Sequence, residues 1–216
     1  MSRTSWAVVL DFDGTITTHD IADSILNEFG GLSRRMINAS YDPGVVTEQW
    51  VRDMFRRVKT EPEQLRRFVR KTARARPGFH DFIARCGELT IPVEIVSGGL
   101  DLYLDLLLGD WGHAHLPRYR ATSRMTNSGL SVRYGYLKGS SLDDFKRDRV
   151  LAHRRAGRKV LFAGDGTSDI AAAKSADAAF ARGHLWKHLR GAGFSARPLR
   201  TFHAARRLLE VSCSQP

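Results

Sequence analysis

Apolar and polar positions divide this chain into short hydrophobic runs separated by amphipathic stretches. Residues 7–10, 92–96, 159–163 and 178–181 are near-continuous apolar runs bounded by turn formers, and they read as buried parallel strands. Residues 119–122 predict a further strand. Asn127-Ser128-Gly129 then predicts a hairpin turn into 130–134, an excursion away from the core sheet. Between the first and second strands the spacing is helical. Ile21, Ala22, Ile25 and Leu26 share a face over 20–29, which Gly30-Gly31 stops. Trp50, Val51, Met54, Phe55 and Val58 form a stripe over 47–59, with Thr47 as N-cap, and Pro62 opens a helix over 61–75. Further helices fall at 79–89, after Gly99, and at 143–156, 170–174, 184–189 and 201–210. Strands alternating with helices predict an α/β fold, a doubly wound parallel sheet. The pattern divides it into a core of 1–16 and 77–216 and a small helical cap, 17–76, inserted after the first strand.

Composition narrows the class. A chain of 216 residues, 42% hydrophobic and 26% charged, suits one globular domain with a modest insertion. No apolar run reaches bilayer length, so no membrane partner is expected. The first strand starts within a few residues of Met1, leaving no room for a signal peptide. Cys86 and Cys213, the latter in a predicted C-terminal tail, are the only cysteines and predict a reducing, cytoplasmic setting. The excess of 34 Lys+Arg over 23 Asp+Glu, formally +11, is scattered in pairs such as Arg34-Arg35 and Arg154-Arg155. The charge could serve a polyanion partner, but with no zinc-finger, helix-turn-helix or aromatic RNA-binding signature beside it, it is a weak clue and a nucleic-acid partner is not expected. A homodimer stays open.

The chemistry gathers at strand ends. The first strand runs into Asp11 and Asp13, which period-two geometry points the same way while Phe12 turns into packing. Like charges held that close resist joint ionisation unless a cation joins them. The second strand runs into Ser97-Gly98-Gly99, a serine and two glycines suited to cradle a phosphate. Lys146 sits in the first turn of a predicted helix, where it opposes the dipole. The strand at 159–163 ends in Gly164-Asp165-Gly166-Thr167-Ser168-Asp169, a second acidic pair. Four carboxylates in one crevice would exclude a phosphate dianion. Mg²⁺, a hard cation that takes oxygen ligands, removes the conflict.

In this order the elements resemble the haloacid dehalogenase superfamily of phosphohydrolases. Asp-Phe-Asp-Gly-Thr-Ile is similar to its first motif, Val-Ser-Gly-Gly to its second, Phe145-Lys146 to its third and Gly-Asp-Gly-Thr-Ser-Asp to its fourth. The helical insertion resembles the cap of the phosphoserine phosphatase-like branch. Thr15-Ile-Thr17 with Asp20, Ser97-Gly-Gly-Leu-Asp101, and Ala172-Ala-Lys-Ser-Ala-Asp177 followed by Phe180-Ala-Arg182 are most similar to the methionine-salvage group that acts on a methylthiopentenyl phosphate. Thr122 and Gly183 depart from that group's pattern.

The resemblance implies a Mg²⁺-dependent hydrolase of a small phosphorylated metabolite. It makes Asp11 the nucleophile that becomes an aspartyl phosphate, and Asp13 the acid and base, oriented by the Thr15 hydroxyl. Asp11, the Asp13 carbonyl and Asp165 become metal ligands, with Asp169 in or beside the set. Ser97, Gly98, Gly99 and Lys146 bind phosphate. Asp20 falls where phosphoserine phosphatases read their substrate, although it also suits a helix N-cap. Arg52 and Arg56, one helical turn apart, are candidate contacts to an anionic leaving group. A phosphomutase or phosphotransferase differs only in what accepts the phosphoryl group. A signalling receiver also combines acids, Ser/Thr and Lys, but lacks the paired aspartates and the insertion. A basic nucleic-acid-binding protein with a vestigial site is the remaining alternative.

Overall fold

The computed structural model describes residues 5–40 and 46–214; residues 41–45 of the predicted cap lie outside them. Strand β1 (Trp6–Leu10) is buried along its whole length. It lies at the middle of a seven-stranded sheet between β2 (Val93–Leu100) and β5 (Lys159–Gly164). Strands β3 (Arg118–Thr126) and β4 (Gly129–Arg133) extend one side, and β6 (Ala178–Ala181) and β7 (Arg197–Pro198) the other, in the order β4-β3-β2-β1-β5-β6-β7. Every neighbouring pair is parallel except β3 with β4. In register, Leu10 faces Ile95 on one flank and Ala163 on the other. The carboxyl ends of β1, β2 and β5 therefore finish side by side, where α/β sheets collect ligands.

The insertion carries α1 (Ile21–Phe29), α2 (Arg34–Ser40), α3 (Thr47–Phe55) and α4 (Pro62–Thr72). Its two ends meet: Thr17 forms an antiparallel bridge with Ala75, Thr18 N–H donates to the Arg74 carbonyl at 3.0 Å, and Arg76 N–H to that of Ile16 at 2.7 Å. Ile25, Val51, Phe55 and Val69 of these inserted helices share one hydrophobic cluster with Phe12, Phe79 and Leu107. The insertion is thus packed on the rest of the fold rather than hung from it. Helices α5 (Phe79–Glu88), α6 (Asp101–Asp110), α7 (Leu142–Arg155), α8 (Ile170–Ser175), α9 (Gly183–Gly191) and α10 (His203–Ser214) complete the layers.

Several local expectations change. The hairpin is not an excursion: β4 joins the sheet, and Leu130 and Val132 are buried in the main cluster with Val51 and Phe55 of α3. Its alternation of apolar and polar positions served a packed face. Thr47 is the first residue of α3 and Val46 its N-cap, without a side-chain bond. Strand β2 continues through Ser97-Gly98-Gly99 with a shifted register against β3, so the glycines lie in an irregular strand end. Ser141 caps α7, which moves Lys146 into the second turn and relieves the expected conflict with the helix dipole. Cys213 belongs to α10, and neither cysteine is in a disulfide. Among the described residues, no helix is long and apolar enough to cross a membrane.

Candidate active site

The crevice at the carboxyl edge of the sheet is lined by Asp11, Asp13, Ser97, Gly98, Gly99, Lys146, Asp165 and Asp169 from the core and by Asp20, Asp23, Thr47, Trp50 and Val51 from the cap side. The sheet register accounts for the first of these. Asp11 N–H continues the β1–β5 ladder onto the Ala163 carbonyl at 2.9 Å, so its side chain emerges where both strands end. Phe12 turns into the core and is fully buried. The chain then reverses through Gly14, whose φ of +66° suits a residue without Cβ. A Cβ there would also fall 2.1 Å from Asp165 Oδ2. Gly14 is what lets the first acidic turn lie against the second.

Lys146 joins the two acidic elements. Its Nζ donates to Asp11 Oδ1 at 2.8 Å and to Asp169 Oδ1 at 2.7 Å, and the side chain is almost completely buried. Asp169 Oδ2 accepts the N–H groups of Asp165 and Gly166 at 3.0 and 2.9 Å. Asp169 is therefore committed on both oxygens to holding the Asp165 turn and Lys146. Oxygens of Asp11, Asp165 and Asp169 nonetheless lie within 4.8 Å of one another. The donor set is all oxygen and anionic, which fits a hard divalent cation.

The electrostatics support the same fit. Burial pushes Asp165 up to about 9, and the neighbouring charges of Asp11 and Asp169 add to the rise. Burial likewise raises Asp11 to about 7, against the pull of Lys146. Burial raises Asp13 well above the carboxylate range, with the Asp20 charge adding. Burial and then Asp23 bring Asp20 to about 7. Burial opposes charge on Lys146, yet Asp11 and Asp169 together hold its ammonium above its ordinary value. One buried ammonium does not neutralise this crowd of acids, and a divalent ion would.

Ser97 is buried, and its Oγ accepts Gly99 N–H at 2.9 Å. The Ser97 and Gly98 carbonyls receive the hydroxyls of Tyr136 and Tyr134, at 3.1 and 2.6 Å. Because N–H and C=O point opposite ways across a trans peptide, anchoring the Ser97 carbonyl also fixes the direction of Gly98 N–H. Asp13 is held by Ile21 N–H on Oδ1 at 3.0 Å and by the Tyr103 hydroxyl on Oδ2 at 2.5 Å. The Thr15 hydroxyl does not orient Asp13. It is buried and unpartnered among the described residues, while Thr17 Oγ1 accepts Gly14 N–H at 2.9 Å and donates to the His19 carbonyl at 2.7 Å.

Asp20 serves as the N-cap of α1, accepting Asp23 N–H at 2.8 Å, and lines the crevice as well. Arg52 and Arg56 are not brought to the crevice. The Arg52 guanidinium lies 5.4 Å from the centre of the Tyr134 ring, and Arg56 pairs with Asp53 at 3.2 Å on the surface. Sequence reasoning missed Arg76, and it picked out Arg182 only as part of a motif, without a role. The buried Arg76 guanidinium donates to the carbonyls of Thr15, Gly14 and Thr17 at 2.6, 2.7 and 2.8 Å. Arg182 adds bonds to Gly14 and Thr18 at 3.1 and 3.0 Å. Burial lowers Arg76 to about 10, with the nearby Arg182 charge contributing. Together they clamp the turn after β1. Glu48, also missed, is buried and accepts Leu142 N–H at 3.3 Å, tying α3 to α7.

Known proteins resemble this chain to different extents. The bifunctional enzyme MtnB/MtnX of Bacillus licheniformis is 30% identical over 94% of this chain, which spans only 49% of that enzyme. The 2-hydroxy-3-keto-5-methylthiopentenyl-1-phosphate phosphatase of Bacillus cereus is 29% identical, covering 94% of this chain and 97% of the relative. Among solved structures, a phospho-aspartyl intermediate analogue of phosphoserine phosphatase superposes with a TM-score of 0.73 at 19% identity, covering 96% of this chain and 99% of the other, a likeness of fold. The sequence profile of haloacid dehalogenase-like hydrolases matches residues 8–174, from β1 through the second acidic turn, and the chain belongs to that family.

Proposed function

We propose that this enzyme, a phosphatase of the haloacid dehalogenase-like family, hydrolyses a small phosphate monoester in two displacements through Asp11. The observation that carries this reading is the convergence of Asp11, Ser97, Lys146 and the Asp165–Asp169 turn on one crevice. Asp11 attacks phosphorus and the bond to the leaving oxygen breaks, giving an aspartyl phosphate. Asp13 gives its proton to that oxygen, then takes one from the water that attacks phosphorus, releasing phosphate and restoring Asp11. Ser97, the Gly98 amide and Lys146 hold the phosphoryl oxygens as charge spreads over them, with Gly99 N–H bracing the Ser97 hydroxyl. Asp11, Asp165 and the Asp13 carbonyl would hold Mg²⁺, with Asp169 bracing Asp165. The ion supplies the positive charge that lets a phosphate dianion sit beside carboxylates.

The cap, 17–76, acts as a lid whose α1 and α3 face the leaving group. Ala22, Trp50 and Val51 form its apolar wall, and Lys146 is the only cation lining the crevice among the described residues. The leaving group is accordingly not anionic and is partly apolar, which the methylthiopentenyl phosphate named for the relatives satisfies. A crevice of about 170 Å³ suits a small ester rather than a polymer. Cys86, buried and outside any disulfide, fits a cytoplasmic setting. Phosphate release from p-nitrophenyl phosphate tests the chemistry. Release should require Mg²⁺, stop with EDTA and vanish in Asp11→Asn, and Asp11→Asn working at the wild-type rate would overturn it. A thioether-bearing pentenyl phosphate should outperform phosphoserine.

A further inference from the structure

Tyr103 stands out as a polar group spent inside an otherwise aliphatic helix face. It lies in the first turn of α6, in the run Asp101-Leu-Tyr-Leu-Asp105, and is fully buried. Phenylalanine would fill the same space, while a buried hydroxyl costs free energy unless it is bonded. Its partner is the Asp13 carboxylate, at 2.5 Å. Burial leaves the hydroxyl no competing water, and the Phe12 ring, with centroids 6.3 Å apart, packs beside it. The backbone is shaped for this contact as well. A Cβ at Gly99 would fall 2.2 Å from the Tyr103 hydroxyl oxygen and 2.6 Å from Asp13 Oδ2, so the missing side chain at Gly99 is what admits the bond.

We propose that Tyr103 is a positioning residue that fixes the Asp13 carboxyl for proton transfer to the leaving oxygen, extending the enzyme to esters whose leaving group cannot depart as a bare anion. This rests on the reading of Asp13 as the acid. One donor would leave the carboxyl free to turn about its last torsion. Two donors, Ile21 N–H from the cap and Tyr103 O–H from the core, fix its plane. The proton passes from the Asp13 carboxyl to the leaving oxygen as the P–O bond breaks. The phenolic proton stays on Tyr103, and the carboxylate formed keeps both donors.

Aryl phosphates of similar size and graded leaving-group acidity separate this role from a structural one. In kcat/KM, which reports transfer to Asp11, p-nitrophenyl phosphate needs little help from an acid and phenyl phosphate needs much. Tyr103→Phe should lower the ratio of phenyl to p-nitrophenyl phosphate by about tenfold, a part of the 10²–10⁴ that a well-placed acid supplies. In an Asp13→Asn background the same change should leave that ratio where Asp13→Asn alone puts it. Parallel loss on both substrates, or loss on neither, overturns the proposal while the phosphatase reading stands. Wild-type rates in Asp11→Asn would instead defeat that reading, and the proposal with it.

Discussion

Replacing Asp165 by asparagine should have opposite effects on stability with and without a divalent cation. In the metal-free protein the Asp165 carboxyl is held at about 9 against an ordinary value of 3.8, chiefly by burial and then by the charges of Asp11 and Asp169. A carboxyl raised on folding binds its proton more tightly when folded. Its contribution to stability is full below pH 3.8 and is lost as pH rises toward 9. At pH 7 the group is about three pH units into that window, a ceiling of about 4 kcal/mol at about 1.4 kcal/mol per unit. Asp165 is only partly buried, and solvent screening brings the expected gain from Asp165→Asn to about 2 kcal/mol. For a chain of this length that is a rise of about 4–8 °C in Tm. Thermal melts at pH 7 in EDTA should show it. With millimolar Mg²⁺ the order should reverse, because wild type gains in proportion to the logarithm of ligand concentration and the variant has lost a ligand. A variant that melts below wild type in EDTA, or gains as many degrees from Mg²⁺, would refute the reasoning.

The same shifts make cation binding pH-dependent. Protons must leave Asp11, raised to about 7, and Asp165, raised to about 9. Apparent Mg²⁺ affinity should rise between pH 6 and 9, with proton release visible as a buffer-dependent heat in calorimetry. Arg76→Ala removes three hydrogen bonds of 2.6–2.8 Å from buried carbonyls and should cost about 3 kcal/mol or more in urea unfolding. Arg76→Lys should recover only a minor part, since an ammonium cannot reproduce the guanidinium fork; full recovery would contradict the geometry. Arg56→Ala, on the surface beside Asp53, should leave kcat/KM for small esters within about twofold. A tenfold loss would return Arg56 to the site.

Much of the site was legible because its signals are local. Asp11 and Asp13 reach one crevice because a strand alternates its side chains, and the apolar run before them announces the strand. Asp165 follows β5 in the same way, whereas Asp169 is brought back to it by the tight helical turn Thr167–Asp169. Arg52 and Arg56 misled because helical spacing says which residues share a face but not what that face meets. Arg52 and Arg56 face the β3–β4 hairpin and line a cavity with it that is separate from the acidic crevice. Arg76 gave no signal, since a lone arginine before Pro-Gly looks like any surface charge until the turn it clamps is folded beneath it.

By itself, the order of residues determined the alternation of strand and helix, the insertion after β1, and which residue types could carry charge at each strand end. Those properties depend on neighbours a few positions apart. Only the tertiary structure decided that Lys146 bonds an aspartate 135 residues away, that Tyr103 rather than Thr15 holds Asp13, and that tyrosines anchor the carbonyls of the glycine turn. Each depends on a distance between segments that no local propensity specifies. Packing sets that distance, and a hydrogen bond either spans it within a few tenths of an ångström or does not form.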